Sequence, residues 1–206
     1  MKTTGLVIAL EHGEEGFVEL NRLEEFPVFL HVVRSLGEVT EEVALAVAKD
    51  YQEAFAKAVS EYGFEECSIV GLNCTGDFFS IIKESLKKVN GEIVVTAPAN
   101  APLIPVDVLS LLAELCEKRD AVLVRDAKGG VDWLLAAYNR RSFMDVAENR
   151  GPVNLEEAVD GLRRVMYIAY SSLKDIDPML FTSIRVIRAS DVLVVEKILR
   201  RVGRRF

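Results

Sequence analysis

The chain has 206 residues, half of them hydrophobic, with 32 Asp and Glu against 25 Lys and Arg for a net charge of -7; that length suits one domain with a full core, read over residues 1–206. The negative balance excludes a nucleic-acid surface, because phosphate contacts rest on clustered Lys and Arg, and no apolar run reaches the roughly 18 residues that span a bilayer. The N-terminus has no basic region followed by a long apolar stretch, so the expectation is a soluble, cytoplasmic protein whose partner is a small molecule or another protein, with a homodimer among the ordinary arrangements.

Cys67, Cys74 and Cys116 form no Cys-x-x-Cys pair and read as small buried hydrophobes rather than a disulfide framework or zinc site. Abundant Glu, Arg and Val beside a single glutamine, Gln52, leans toward a thermophilic source.

The first apolar run, Gly5 to Leu10, predicts a strand that empties into Glu11-His12-Gly13-Glu14-Glu15-Gly16. Helical spacing follows over Pro27 to Leu36, then a strand-length run over Val43 to Ala48. Asp50 to Tyr62 reads as a helix opened by an Asp50–Glu53 capping box. Cys67 to Leu72 is the next strand, and Asp77 to Val89 a helix whose Phe78, Ile81, Ile82, Ser85 and Leu86 share one side. Glu92 to Thr96 is a strand, and a helix begins at Pro105 and runs to about Lys118. Asp126 to Gly130 is a turn between the strands Ala121 to Arg125 and Val131 to Tyr138. Helices over Arg140 to Glu148 and Asn154 to Arg164 come next, the latter with an Asn154–Glu157 capping box. Val165 to Tyr170 and the alternating Phe181 to Ile187 are strand candidates, and Ser190 caps a last helix over Asp191 to Arg201. Its end, with Arg200, Arg201, Arg204 and Arg205, reads as a solvated tail whose cations face the helix dipole. Strands alternating with helices give a three-layer α/β/α, Rossmann-like architecture around a mainly parallel sheet.

Several of these segments, taken in order, resemble the MobA-like NTP transferases typified by molybdenum-cofactor guanylyltransferase. Leu20, Pro27, Leu30, His31, Val32 and Val33 match the end of the family's opening motif, Leu-Ala-Gly-Gly-x-Ser-x-Arg-Met-Gly-x-x-Lys with its following turn and helix. The run Ile93 to Pro105 is similar to the strand and Asp-x-Pro-Phe-Leu segment, and Val186 to Leu193 to the C-terminal Asn-Ile-Asn-Thr-x-x-Asp-Leu. The resemblance implies a nucleotide-diphospho-sugar transferase-like fold. It also implies attack by an acceptor phosphate on the α-phosphorus of GTP, with glycine amides, Arg, Lys and Mg²⁺ stabilising the charge.

The residues at those positions depart from that chemistry. The loop positions implied by the resemblance are Ala9, Leu10, Glu11, His12, Gly13, Glu14, Gly16 and Glu19. The paired glycines fall on Ala9 and Leu10, the Arg on Glu14 and the Lys on Glu19, and only Gly16 keeps its identity. A unit charge pair at ~4 Å is worth roughly 1 kcal/mol in water and about 4 kcal/mol at intermediate dielectric, so two reversals of sign weaken triphosphate binding by orders of magnitude. Asn100 stands at the metal-binding Asp, and Arg188 near the position that completes the site; neither is a carboxylate.

His31 reads as a packed helix residue and His12 as a solvated loop histidine. Trp133 and Tyr138 read as core or rim aromatics, and Asp107, Asp126 and Asp132 as helix-start and turn residues. No residue is assigned a catalytic role or a metal. The expectation is a diverged scaffold with a degenerate phosphate loop that binds a small ligand or a partner. The alternative is an active transferase, using GTP and Mg²⁺ at a rearranged site.

Overall fold

The computed structural model describes residues 1–10, 16–73, 76–126 and 128–202. Nine strands and seven α-helices are formed among them: β1 (Thr3–Ile8), β2 (Arg22–Leu23), β3 (Phe26–Pro27), α1 (Val28–Gly37), β4 (Glu42–Ala48), α2 (Gln52–Glu61), β5 (Cys67–Leu72), α3 (Phe78–Lys88), β6 (Ile93–Pro98), α4 (Val106–Cys116), β7 (Ala121–Arg125), β8 (Val131–Asn139), α5 (Arg140–Asn149), α6 (Leu155–Asp160), β9 (Val165–Ala169) and α7 (Ala189–Val202).

Seven strands form one sheet in the order β5-β4-β1-β6-β8-β7-β9, while β2 and β3 pair as a separate antiparallel ribbon. The first four strands run parallel; β8 lies antiparallel between β6 and β7, and β9 runs parallel to β7. Successive residues of β1 serve opposite layers, as the two-residue strand period demands. Val7 joins the core beneath α1, α2 and α4 through Phe29, Phe55 and Leu109. Leu6 and Ile8 join the core beneath α3, α5 and α6 through Ile82, Phe143 and Leu155. A third, smaller core ties α7 to the β2–β3 ribbon through Leu23, Val28, Val186, Val192 and Val195. The three-layer α/β/α architecture is therefore as the sequence implies.

Local signals succeed at two helix starts, and beside Asn154 the Glu157 side chain reaches back to accept from Val153 N at 3.1 Å. Asp77 Oδ1 accepts from Ser80 N at 2.9 Å and Asn154 Oδ1 from Glu157 N at 2.8 Å, starting α3 and α6. Five details differ from the sequence reading. No Asp50–Glu53 capping box forms, because residues Lys49–Tyr51 make a 3₁₀ turn and α2 starts at Gln52. Pro105 is the N-cap of α4 rather than its first residue, and α6 stops at Asp160, so the helix expected to reach Arg164 is shorter. Phe181 to Ile187 is not a strand. Asp177 captures the backbone N–H groups of Phe181 and Thr182 at 2.9 and 2.7 Å, which winds Phe181–Ser183 into a 3₁₀ turn. Ser190 lies inside α7; it is Asp191 that reaches back to accept from Ile187 N and Arg188 N, both at 2.9 Å.

No helix among the described residues is long and apolar enough to cross a membrane.

Candidate functional site

In a sheet of this kind ligands sit beyond the carboxyl ends of the parallel strands. Here that edge is formed by the ends of β1, β6 and β7, the start of β8 and the segment leading to α7. At the end of β1, Ala9 is buried and its N–H donates to Ala46 O at 2.9 Å, while Ala99 N donates to Ile8 O at 2.9 Å. Leu10 is half-buried and packs against the core beneath α3. Glu11, His12, Gly13 and Glu14 lie outside the described residues.

Beyond them, Gly16 has φ +62° and an added Cβ would meet nothing within 4 Å, so glycine is needed there for its backbone angle rather than for close approach. Glu19, expected to face a polyanion, is instead enclosed, only 1% exposed, in the 3₁₀ turn Val18–Leu20.

Asn100 follows β6 and is buried, and its carbonyl accepts from Val186 N at 2.8 Å. That bond draws the segment before α7 across the end of β6. Arg188 is exposed, with its backbone held by Asp191. The arginine that enters the cleft is Arg185, three residues earlier.

Arg185 meets Asp132 at the heart of the edge. Its Nη2 donates to Asp132 Oδ2 at 2.5 Å, and its Nη1 to the carbonyls of Thr182 and Ile184 at 2.6 and 3.1 Å. Tyr170, in the 3₁₀ turn Tyr170–Leu173 after β9, donates its hydroxyl to the same Asp132 oxygen at 2.9 Å. Burial, and then the Asp132 charge, push the Tyr170 phenol well above its ordinary pKa, so it stays a neutral donor. Both members of the ion pair are largely enclosed, at 17% and 21% side-chain exposure.

Asp132 reaches this position through an irregularity of the sheet. Leu123 pairs with Ala136 and Val124 with Asp132, so Trp133–Leu135 have no opposite number on β7. A bulge of this kind re-aims the side chains on either side of it, and Asp132 Oδ1 closes it by accepting from Leu135 N at 3.2 Å. The cleft beyond the bulge encloses about 590 Å³, walled by Phe78, Trp133, Leu134 and Leu180 and lined by Asp126, Asp132, Tyr170 and Arg185 among its polar groups.

The residues expected to pack do so. Tyr138 is fully buried and donates to Trp133 O at 3.2 Å. His31 is buried on α1, its Nε2 bonded to Leu23 O at 2.9 Å, so Nε2 carries a proton. Asp107 sits in the first turn of α4, and Asp126 closes the β7–β8 connection, accepting from Lys128 N and Gly130 N at 2.8 Å each. Cys67 and Cys116 are buried, whereas Cys74 lies outside the described residues. Asp132, Tyr170 and Arg185 were not legible as a group, since they are 38 and 53 residues apart and no local motif joins them.

A hard divalent cation asks for carboxylate oxygens at about 2.0–2.1 Å. The described residues do not fit one. Asn100 offers only a neutral side-chain amide, and no group of three or more His, Cys, Asp or Glu that could hold a metal exists among the described residues.

Sheet order and layer arrangement are those of the MobA-like, nucleotide-diphospho-sugar transferase-like fold. Among solved structures, molybdopterin-guanine dinucleotide biosynthesis protein A from Archaeoglobus fulgidus is similar with a TM-score of 0.72 and 18% identity, over 98% of this chain and 100% of that one. A 4-diphosphocytidyl-2C-methyl-D-erythritol synthase from Anaerococcus prevotii gives 0.69 and 14% over 97% and 96%. A Mycobacterium tuberculosis protein in complex with manganese gives 0.62 and 17% over 82% and 88%. No protein-family model and no curated protein matches the sequence.

Proposed function

We propose that this chain is a diverged MobA-like protein that keeps the nucleotidyltransferase scaffold, has lost its grip on triphosphate and metal, and holds a small ligand at the cytoplasmic protein's cleft edge. The supporting observation is the Arg185–Asp132 pair, in which a fixed guanidinium already neutralises the carboxylate that lines the cleft. Asn100, whose side chain is a neutral amide, adds no charge that a cation would need.

Calorimetric titration with GTP, ATP and CTP, each with and without Mg²⁺ or Mn²⁺, tests this reading. The expected outcome is no metal-dependent binding at micromolar concentration; micromolar, metal-dependent binding of any one of them overturns it. The other reading is GTP-dependent guanylyl transfer to a phosphorylated cofactor precursor at a rearranged site. Its support is the shared fold and the neighbour bound to manganese, and the same titration would reveal it.

A further inference from the structure

We infer that the cleft beside the β8 bulge selects an aromatic ligand with a cationic or neutral hydrogen-bond-donating head, and rejects a phosphate ester. This rests on the small-ligand reading above and names the ligand's chemistry. The cavity of about 590 Å³ has the size of a small-molecule site. Its apolar wall carries two aromatic rings beside Leu134 and Leu180: Trp133, the only tryptophan in the chain, and Phe78, which opens α3 and stays 42% exposed although it is a large hydrophobe. Such faces stack a planar ring and attract a cation.

The polar floor has the opposite character from a phosphate site. The one arginine in the lining gives its donors to Asp132, to the Tyr170 hydroxyl at 3.4 Å and to two backbone carbonyls, so its charge is spent within the protein. Asp126 keeps one oxygen open: Oδ1 takes the Lys128 and Gly130 N–H groups, whereas Oδ2 accepts no hydrogen bond among the described residues. Among the described lining residues, two carboxylates stand against one guanidinium, a net negative charge. A phosphate brought here would face that charge with no unpaired cation among the described lining residues, whereas an ammonium or amide head would find an acceptor.

The wall is also fixed before any ligand arrives. Leu180, which lines the cleft, holds φ +51°, a left-handed conformation that a residue with a Cβ resists. Buried Asp177 keeps it there, accepting from Phe181 N, Thr182 N and the Thr182 hydroxyl. Bulge, strained wall and closed ion pair together make a site shaped in advance, which lowers the ordering cost of binding.

The test uses three ligands that share one ring: phenethylamine, 2-phenylethanol and phenyl phosphate, titrated into the whole protein while Trp133 emission is followed. Phenethylamine is expected to bind most tightly, 2-phenylethanol about threefold or more weaker, and phenyl phosphate at least about tenfold weaker. Asp126→Asn keeps the acceptor used by Lys128 and Gly130 and is expected to bring phenethylamine down to the level of 2-phenylethanol. Phe78→Ser removes an exposed wall and is expected to weaken phenethylamine and 2-phenylethanol alike. Phenyl phosphate binding as tightly as phenethylamine, a cation preference unchanged by Asp126→Asn, or no emission change with any of the three up to about 20 mM overturns the inference. Metal-dependent GTP binding would remove the proposed function and leave this preference standing; charge-blind binding of the three ligands would do the reverse.

Discussion

Asp132 joins three distant segments through one carboxylate, which makes it the most consequential side chain of the cleft. Its Oδ2 holds Tyr170 and Arg185 together. Asp132→Ala would leave an enclosed guanidinium without its counter-charge, and the expected loss is on the order of 2–4 kcal/mol, read from urea unfolding. Replacing Asp132 and Arg185 together by Asn and Met should cost less than Asp132→Ala alone, because no unpaired charge remains; a larger cost would deny the pair its structural role. His31 gives a second residue-scale outcome. Burial lowers its pKa below the ordinary 6.5, against the raising effect of its bond to Leu23. The unfolded chain therefore takes up a proton that the folded one resists, so stability is flat above about pH 6.5 and falls as pH drops below it. Unfolding curves at pH 7.5 and 5.5 should show this fall, and His31→Gln, which can still donate to Leu23, should reduce it. That His31 packs was readable from its place in an apolar helix, whereas Asp132 looked like a turn residue because its partners lie far away in the chain.

At the scale of elements, local chemistry decided what could be read. Asp77 and Asn154 start helices with bonds to residues three positions on, so their sequence signatures sufficed. Phe181 to Ile187 alternates like a strand, yet Asp177, outside the run, bends its backbone into a turn; periodicity contains no information about that capture. The β8 bulge is equally hidden, since it is defined by register against β7. Packing between β1 and α1 sets a further constraint at Gly5. An added Cβ there would lie 2.8 Å from Thr40 Oγ1 and 2.9 Å from Leu36 Cβ. Gly5→Ala should lower stability by about 1–3 kcal/mol through overpacking of a helix that cannot move without disturbing β1. A melt unchanged by this substitution would mean that α1 has slack against the sheet.

For the molecule as a whole, the order of strands and helices along the chain sufficed to indicate a three-layer fold. Where the segment before α7 crosses the end of β6 was not legible, because the bond between Val186 and Asn100 joins residues 86 positions apart in the chain. The position of β8 also has a consequence for folding. Over Ala136 to Tyr138 this strand is bonded on one side to β6 and on the other to β7, so that stretch has no free edge from which to peel away. The amides of Ala136, Ala137 and Tyr138 should therefore exchange with deuterium only on global unfolding, while those of β9, at the margin of the sheet, should exchange through local opening. Faster exchange in β8 than in β9 would contradict this order. A molecule that seats in the cleft between the β8 bulge, Tyr170 and Arg185 binds only the folded chain, so its binding would be measurable as a higher melting temperature of the whole protein.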